Sequence, residues 1–149
     1  MGQGMQIDDE ISVGGQLNTN QLKQLAGEGY KTIVNLQTDG EANQLLSPEA
    51  EGRKVRDLGM QYVHFPVSMV TMSPEKVDDF RQRLKKWPAP VFVHCSSGKR
   101  AGAFVMMDKA VKQGWTGDDT LAKATRMGFE CDVAEIKAFV KYYVNSRRP

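Results

Sequence analysis

At 149 residues the chain is long enough to build a hydrophobic core without disulfides or a structural metal, and we expect residues 1–149 to form a single domain. Hydrophobic residues make up 40% and charged residues 26% of the sequence, a composition of soluble globular proteins that excludes disordered, collagen-like and membrane-embedded classes. The formal net charge is only +2, with basic and acidic residues intermixed, so we expect neither nucleic acid nor a membrane as a partner.

The two cysteines, Cys95 and Cys131, are too few for a disulfide framework, and the histidines do not show the spacing of zinc ligands. We therefore predict no metal and no cofactor. The amino end MGQGMQIDDE lacks the regions of a signal peptide, and no stretch is apolar for long enough to span a bilayer. The sequence leaves the compartment open: we expect a soluble protein, of the cytoplasm or, if a leader has been removed, of the periplasm. The sequence leaves the oligomeric state open.

Short apolar runs alternate with amphipathic segments in the first half of the sequence, which indicates an α/β domain. An edge strand is predicted around residues 11–13, followed by a helix that Asn18 or Thr19 caps and Gly29 closes. Two later helices start with a Ser-Pro pair, because serine caps the helix and proline fits its first turn. The next predicted elements are a strand, a helix, a strand, a helix and a strand, at 31–36, 48–58, 61–67, 74–87 and 90–94.

The second half is predicted to be helical. Residues 99–113 form a helix that is mostly apolar over its first half and is therefore expected at the centre of the domain. Two amphipathic helices follow at 118–127 and 132–146, the last one capped by Asp132. Because each strand is followed by a crossover of helical length, we predict a mostly parallel sheet of four to five strands with helices on both faces.

The segment VFVHCSSGKRAG joins the most apolar strand to this central helix, at the sheet edge where open α/β folds bind ligands. Backbone N–H groups of the loop can form an anion-binding nest, to which the helix adds the positive end of its dipole. The same field favours the thiolate of Cys95 and makes this side chain nucleophilic. We predict Cys95 as a nucleophile and five residues as oxyanion ligands: Ser96, Ser97, Gly98, Lys99 and Arg100.

A buried, inert cysteine in a tight turn is the alternative interpretation of Cys95. The combination of His, Cys, Gly and Arg on one short loop favours the reactive interpretation over this one. Cys131 is more simply interpreted as a small core residue, although it is also a candidate for forming a disulfide with an oxidised Cys95.

The motif HCSSGKRA resembles the H-C-x-x-G-x-x-R signature of cysteine-dependent phosphatases, but four residues rather than five separate Cys95 from Arg100. The shorter loop is also similar to that of rhodanese-type sulfurtransferases and to that of bacterial beta-lactamase-hydrolase-like, phosphatase-like domains. The segment SVGGQLNTNQLKQLAGEGYKTIVNLQTDGE is similar to the amino-terminal pattern of the last group, which the chain resembles best. This resemblance implies a cysteine-phosphatase-like α/β fold with a helical carboxyl half, and a hydrolase of the tyrosine or dual-specificity phosphatase type.

The resemblance also implies roles for individual residues. Cys95 would attack a phosphate ester and form a phosphocysteine, Arg100 and the loop amides would bind the transition state, and His94 would orient the loop. The expected partner is a phosphate ester or another oxyanion substrate. For His94, a strand-end histidine bonded to nearby backbone is an equally good interpretation.

Phosphatases of this type place an aspartate as general acid after the strand that is QYVHFPV here, but residues 68–72 contain no carboxylate. Asp39 and Glu41, in an acidic turn at another strand end, are the substitute candidates for the general acid, although a solvated turn is the favoured interpretation of both. General acid catalysis contributes roughly 10²–10⁴-fold, so its absence predicts slow turnover and a preference for good leaving groups. Met69 and Met72 are candidates for an apolar wall beside the loop.

Two further functions fit the same loop. In a rhodanese-like sulfurtransferase Cys95 would accept sulfane sulfur as a persulfide, a reaction that needs no general acid. In a binding module without catalysis, the anion-binding nest alone would be kept, but an intact Cys95 and Arg100 argue against this.

Overall fold

The computed structural model describes residues 4–127 and 134–148 of the chain, which form a five-stranded sheet with helices on both faces. The strand order is β1-β2-β5-β3-β4, with β1 antiparallel to β2 and all other neighbours parallel. The predicted mostly parallel α/β sheet is thereby confirmed. The strands are β1 Met5–Gln6, β2 Ile11–Gly14, β3 Thr32–Asn35, β4 Gln61–His64 and β5 Val91–His94. The helices are α1 Thr19–Gly27, α2 Pro48–Asp57, α3 Pro74–Leu84, α4 Lys99–Gln113, α5 Gly117–Met127 and α6 Ala134–Ser146.

Three helices start where side-chain caps predicted them. Ser47 Oγ accepts the N–H of Ala50 at the start of α2, and Ser73 Oγ accepts the N–H of Lys76 at the start of α3, both at 3.1 Å. Asn18 caps α1 by accepting a backbone N–H three residues ahead at 2.8 Å. These bonds satisfy amides that have no partner within the helix.

The strand around residues 11–13, predicted at an edge, lies inside the sheet. The prediction was wrong because the first residues form β1, which pairs with β2 on the side away from β5. Asp8 Oδ1 accepts the N–H groups of Glu10 and Ile11 at 2.8 and 3.0 Å and so stabilises the turn between the two strands. Strands β3 and β4 are also shorter than predicted, ending at Asn35 and His64.

Hydrophobic residues form a separate core on each face of the sheet. The larger core joins the sheet to α3, α4 and α6, and includes Phe80 and Phe104 with rings 5.4 Å apart. The smaller core joins the sheet to α1 and α2 around Leu22 and Val55. Strand β5, at the centre of the sheet, is buried at every position. The position of β5 therefore fixes the loop that follows it between two packed layers.

Helix α4 is the central helix, as predicted, and nearly all of its residues from Ala101 to Ala110 are buried. Its buried carboxylate, Asp108, pairs with Arg81 Nε at 3.0 Å and with Lys112 Nζ at 2.9 Å, which compensates for burying the charge. Among the helices in residues 4–127 and 134–148, none is both long enough and apolar enough to cross a membrane. Asp132, predicted to cap the last helix, lies outside the described residues.

Candidate active site

The predicted loop lies at the carboxyl end of the parallel strands. Gly14 of β2 and Asn35 of β3 are both in register with His94, the last residue of β5. Cys95 follows immediately and α4 begins at Lys99. The loop therefore occupies the edge of the sheet at which ligands bind in open α/β folds.

The turn from Cys95 to Gly98 folds back on the cysteine sulfur. Gly98 adopts a left-handed conformation with φ of 95°, and its N–H donates to Cys95 Sγ at 3.1 Å. Gly98 is also the N-cap of α4, so no side-chain oxygen covers the first amides of that helix. The Cys95 side chain, 1% exposed, thus lies at the positive end of a 15-residue helix.

A pair of glycines at the end of β2 allows the loop to approach the sheet closely. The Cys95 N–H donates to the Gly14 carbonyl at 3.2 Å, and the Gln16 N–H donates to the Ser96 carbonyl at 3.1 Å. A Cβ atom on Gly15 would lie 3.0 Å from the Ser96 oxygen, a contact that real side chains rarely make. These glycines were not among the predicted site residues. Their signal is the adjacent Gly-Gly at the end of a strand.

Arg100 is bound by a carboxylate that comes from a distant loop. Its Nη1 and Nη2 donate to the two oxygens of Glu41 at 2.6 and 2.8 Å, and Nη1 also donates to the Val67 carbonyl at 2.8 Å. The two side chains of the pair are 16% and 17% exposed. The Glu41 carboxylate raises the pKa of Arg100 above its usual range, and Cys95 adds to this effect.

The same ion pair determines the charge state of Glu41. The hydrogen bonds from Arg100, supported by the Thr38 N–H at 2.7 Å, lower the pKa of Glu41 to about 2. Glu41 is therefore ionised at neutral pH and has no proton to donate while Arg100 holds it. Its candidate role as general acid stays a prediction that would require release from Arg100.

Asp39 lies on the same turn but faces a different cavity. This cavity has a volume of about 480 Å³, and neither Cys95 nor Arg100 lines it. Its lining residues are Asp39, Pro48, Glu49, Gly52, Arg56, Tyr62 and His64. The structure thus brings Glu41, but not Asp39, to the predicted anion-binding loop.

A cavity of about 340 Å³ opens over Arg100. Met69 lines it and is 45% exposed, whereas Met72 packs against the larger core instead. The lining residues are Glu41, Ser68, Met69, Ser97, Lys99, Arg100 and Ile136. Of the predicted apolar wall, only Met69 is therefore in place, and Glu41 is the one carboxylate among the residues that line this cavity.

His94 lies beneath the loop and contacts two oxygen atoms. Its Nε2 is 2.5 Å from Glu51 Oε2, and its Nδ1 is 3.4 Å from the Cys95 carbonyl oxygen. Glu51 was not among the predicted site residues. Its signal is the position four residues before Val55 in α2, which places it on the face of the helix that packs against the sheet.

Within residues 4–127 and 134–148, no group of three or more His, Cys, Asp or Glu side chains is arranged to hold a metal. Cys131, the candidate disulfide partner of Cys95, falls outside these ranges. The prediction about an oxidised Cys95 therefore remains a prediction.

Comparison with known families assigns most of the chain to one family. The sequence model of the phosphatase-like domain of the beta-lactamase hydrolase-like protein matches residues 5–112, which include β1 to β5 and most of α4. The chain belongs to this family. The resemblance noted in the loop and in the amino-terminal segment is thereby confirmed.

The relatives of this phosphatase-like domain are larger proteins. It is 27% identical to the beta-lactamase hydrolase-like protein of Xylella fastidiosa (strain Temecula1) over 83% of the chain, and 28% identical to that of Agrobacterium fabrum over 72%. The matched regions span only 29% and 25% of those two proteins. The chain thus corresponds to one part of them.

Solved structures share the fold of the phosphatase-like domain at lower identity. P. aeruginosa TpbA superposes with a TM-score of 0.76 at 20% identity, covering 96% of this chain and 86% of TpbA. The catalytic domain of a PP-IP phosphatase from S. cerevisiae, solved with citrate, superposes with a TM-score of 0.73 at 15% identity. The match covers 96% of this chain and 88% of that domain. A TpbA variant has been solved with pTyr. These similarities show a tyrosine-phosphatase-like fold.

Proposed function

We propose that this domain hydrolyses phosphate monoesters through a phosphocysteine on Cys95. The observation that carries the proposal is the hydrogen bond from the Gly98 N–H to Cys95 Sγ, at the start of α4 and beside Arg100. A thiolate at this position is stabilised by backbone amides and by a guanidinium. Amides arranged in this way also bind the oxygens of a phosphoryl group.

In the first step the Cys95 thiolate attacks phosphorus, the S–P bond forms and the ester P–O bond breaks. The leaving oxygen takes its proton from water. In the second step water attacks phosphorus, the S–P bond breaks, and inorganic phosphate and the thiolate are released. The charge on the phosphoryl oxygens in both steps is stabilised by the amides of residues 96–100 and by Arg100.

The contacts of Arg100 determine which of its N–H groups reach the substrate. Of the five N–H groups on a guanidinium, Glu41 and Val67 bind three, two on Nη1 and one on Nη2. The Nε–H and the second Nη2–H are on the side edge of the guanidinium, which is the edge we assign to the phosphoryl oxygens. Glu41 thus orients Arg100 without blocking this edge.

The leaving group is the expected determinant of substrate choice. Glu41 is ionised, and the loop after β4 has no carboxylate, so the leaving oxygen receives little help from a protein acid. Aryl phosphates, whose phenolates leave easily, should therefore react much faster than alkyl phosphates. Met69 and Ile136 give the cavity an apolar side that suits an aromatic ring, including that of a phosphotyrosine-like substrate.

A sulfurtransferase reaction is the second candidate, and the ionised Glu41 favours it. The Cys95 thiolate would attack the outer sulfur of thiosulfate, and the S–S bond of thiosulfate would break to release sulfite. A thiophilic acceptor such as cyanide would then take the sulfur as thiocyanate and restore the thiolate. Neither step needs a proton donor, and the four-residue loop resembles that of rhodanese-type enzymes.

Two assays on the purified protein separate the two reactions. We expect wild type to release phosphate from an aryl phosphate, vanadate to inhibit this release, and Cys95→Ser to abolish it. Release that is unaffected by vanadate or by Cys95→Ser would refute the phosphatase. A persulfide on Cys95 after thiosulfate, together with thiocyanate production, would instead support the sulfurtransferase. If neither reaction occurs but phosphate still binds, the domain is a binding module.

Arg100→Ala tests the proposed oxyanion ligand. We expect phosphate binding and the rate of aryl phosphate hydrolysis to fall together, because the same guanidinium serves both. The matched control is Arg53→Ala, an arginine on the exposed surface of α2 whose side chain is 66% exposed. Unchanged phosphate affinity in Arg100→Ala would exclude this residue as the ligand.

A further inference from the structure

A buried carboxylate lies beneath the active loop and belongs to no part of the phosphatase-like signature. Glu51 extends from α2 toward strands β3, β4 and β5 and is 1% exposed. Its Oε1 accepts hydrogen bonds from Asn35 Nδ2 at 2.8 Å and from the Tyr62 hydroxyl at 3.1 Å. Its Oε2 lies 2.5 Å from His94 Nε2. Buried charge is costly unless it is hydrogen-bonded, and here each carboxylate oxygen has a partner.

The orientation of these partners is set by their own contacts. Asn35 Oδ1 accepts the Gln37 N–H at 2.8 Å, so the Asn35 amide must direct its NH₂ group toward Glu51. Burial, and then the charge of Glu51, raise the pKa of Tyr62 well above its usual range, so the phenol keeps its proton and donates it. Oε1 of Glu51 thus accepts from two donors whose directions are fixed by their own contacts.

The contacts of His94 determine the protonation of its ring. Both ring nitrogens face oxygen acceptors, Nε2 the Glu51 carboxylate and Nδ1 the Cys95 carbonyl at 3.4 Å. A neutral imidazole carries one N–H and can satisfy only one of these acceptors, whereas an imidazolium satisfies both. A buried imidazolium needs a counterion, and Glu51 lies at hydrogen-bonding distance to supply it.

We propose that Glu51 is a positioning residue for Cys95 that acts through His94. The carboxylate keeps the imidazole protonated and oriented, the Nδ1–H holds the Cys95 carbonyl, and the positive charge behind the loop stabilises the thiolate. The inference rests on the proposed function only in requiring Cys95 to react as a thiolate. Among the other titratable or charged groups around the pair are Tyr62 of β4, Arg56 of α2, whose charge acts on Tyr62, and Arg100 beside Cys95.

Alkylation of Cys95 by iodoacetamide, measured against pH by peptide mass spectrometry, tests the proposal without any phosphatase turnover. Glu51→Gln keeps the shape of the side chain but removes the counterion. We expect the midpoint of the alkylation profile to move to higher pH by about one unit, the lower end of the one to three units by which an opposite charge within about 4–6 Å shifts a titration. Failure of the phosphatase assay alone would leave this result unaffected.

The matched control is Glu49→Gln, on the same helix, with a side chain that is 81% exposed. We expect its alkylation midpoint to equal that of wild type. A midpoint in Glu51→Gln that also equals that of wild type, or an equal shift in both variants, would refute the proposal. A purely structural role of Glu51 would lower the thermal midpoint of the protein without moving the pH of alkylation.

Direct observation of the imidazole keeps the proposal testable if Glu51→Gln does not fold. The chain has two histidines, and His64→Gln assigns their ¹⁵N signals. We expect both ring nitrogens of His94 in the wild-type protein to be protonated at pH 7. A single neutral tautomer of His94 at that pH would contradict the proposed ion pair.

Discussion

Arg100 and Glu41 lie 59 residues apart in the sequence and form a two-pronged ion pair, with N–O distances of 2.6 and 2.8 Å, at the candidate active site. The pair joins the loop after β3 to the first turn of α4. Its partly buried position makes it stronger than an exposed ion pair, since water screens it less. The charge and the orientation of the proposed oxyanion ligand therefore both depend on Glu41.

Glu41→Gln separates these two contributions. Removing the negative charge should tighten phosphate or vanadate binding by about 5-fold, because Arg100 is no longer neutralised and a dianion is no longer repelled. The maximal rate should fall, since an amide has one acceptor oxygen where the carboxylate offers a separate oxygen to each Nη atom. The binding constants can be measured by calorimetry and the rate with an aryl phosphate.

Glu41 carries its full charge from pH 5 to pH 8, because its pKa in the wild-type protein is about 2, so Glu41→Gln should bind oxyanions more tightly than wild type across this whole range. Asp39→Asn is the control, since this residue is on the same turn but lines the other cavity. If Glu41→Gln bound oxyanions as weakly as wild type or more weakly, the Glu41 carboxylate would not be opposing oxyanion binding at Arg100.

Gly98→Ala and Gly114→Ala compare the two ends of α4. Both glycines have positive φ, 95° and 76°, so alanine should cost roughly 1–2 kcal/mol of stability at either position. Only Gly98→Ala alters the loop, where a Cβ atom would lie 3.4 Å from the Gly14 carbonyl carbon. We expect its kcat/KM to fall by roughly tenfold or more through misplacement of the Gly98 N–H, with no such loss in Gly114→Ala. Equal kcat/KM values in the two variants would contradict this role.

Phe80→Ala tests the larger core. Phe80 is fully buried, and its ring makes edge contacts with Phe65, Trp87 and Phe104 at centroid distances of 5.4–5.8 Å. Loss of this side chain should reduce the free energy of unfolding by about 3–5 kcal/mol, measured by urea denaturation. Tyr142→Ala, at a side chain that is 62% exposed, should change it by less than about 0.5 kcal/mol. A small effect of Phe80→Ala would mean that the core around it is packed differently.

Asp78 provides a pH-dependent contribution to stability. Arg147 donates to it at 2.7 Å, the Tyr143 hydroxyl also donates to it, and the hydrogen bond from Arg147 lowers the pKa of Asp78 below its usual range. Because the pKa is lower in the folded than in the unfolded state, this stabilisation is present above the unfolded value of about 3.9 and is lost as the pH falls below it. Asp78→Asn should therefore reduce the free energy of unfolding by about 1 kcal/mol or less at pH 7, since the pair is partly exposed. The reduction should be smaller still at pH 3.

The control for that measurement is Asp79→Asn. Asp79 pairs with Arg83 on the exposed surface of α3, an arrangement that contributes about 0.3–0.5 kcal/mol. Chemical denaturation of wild type and both variants at pH 7 and pH 3 gives the comparison. A difference between wild type and Asp78→Asn that grows as the pH falls would contradict the assigned pKa.

The helices were predictable because their signals are local. The Ser-Pro pairs at 47 and 73 mark helix starts through contacts within one turn, and α4 spans the predicted residues 99–113. The position of β2 inside the sheet was not predictable in the same way, because a two-residue strand such as β1 carries almost no periodicity. The loop between Cys95 and Arg100 was recognisable because all of its chemistry lies within one short segment.

Contacts between distant segments of the chain could not be predicted from the sequence. Asp39 and Glu41 are equivalent as acidic residues of one turn, and only the fold directs Glu41 to Arg100 and Asp39 to another cavity. Glu51 lies 43 residues from His94, and nothing in its neighbourhood distinguishes it from the exposed Glu49 except its position relative to the apolar face of α2. Partners across the sheet depend on the register of the strands, which no local pattern specifies.

Helix α4 gives the candidate anion-binding loop its rigidity. Because the residues from Ala101 to Asp108 are buried on every side, the helix cannot tilt without opening contacts to its neighbours. Its first amides are therefore fixed by the hydrophobic core before any ligand arrives. A phosphoryl group that binds there meets dipoles that are already aligned, and little of the binding free energy is spent on ordering the main chain.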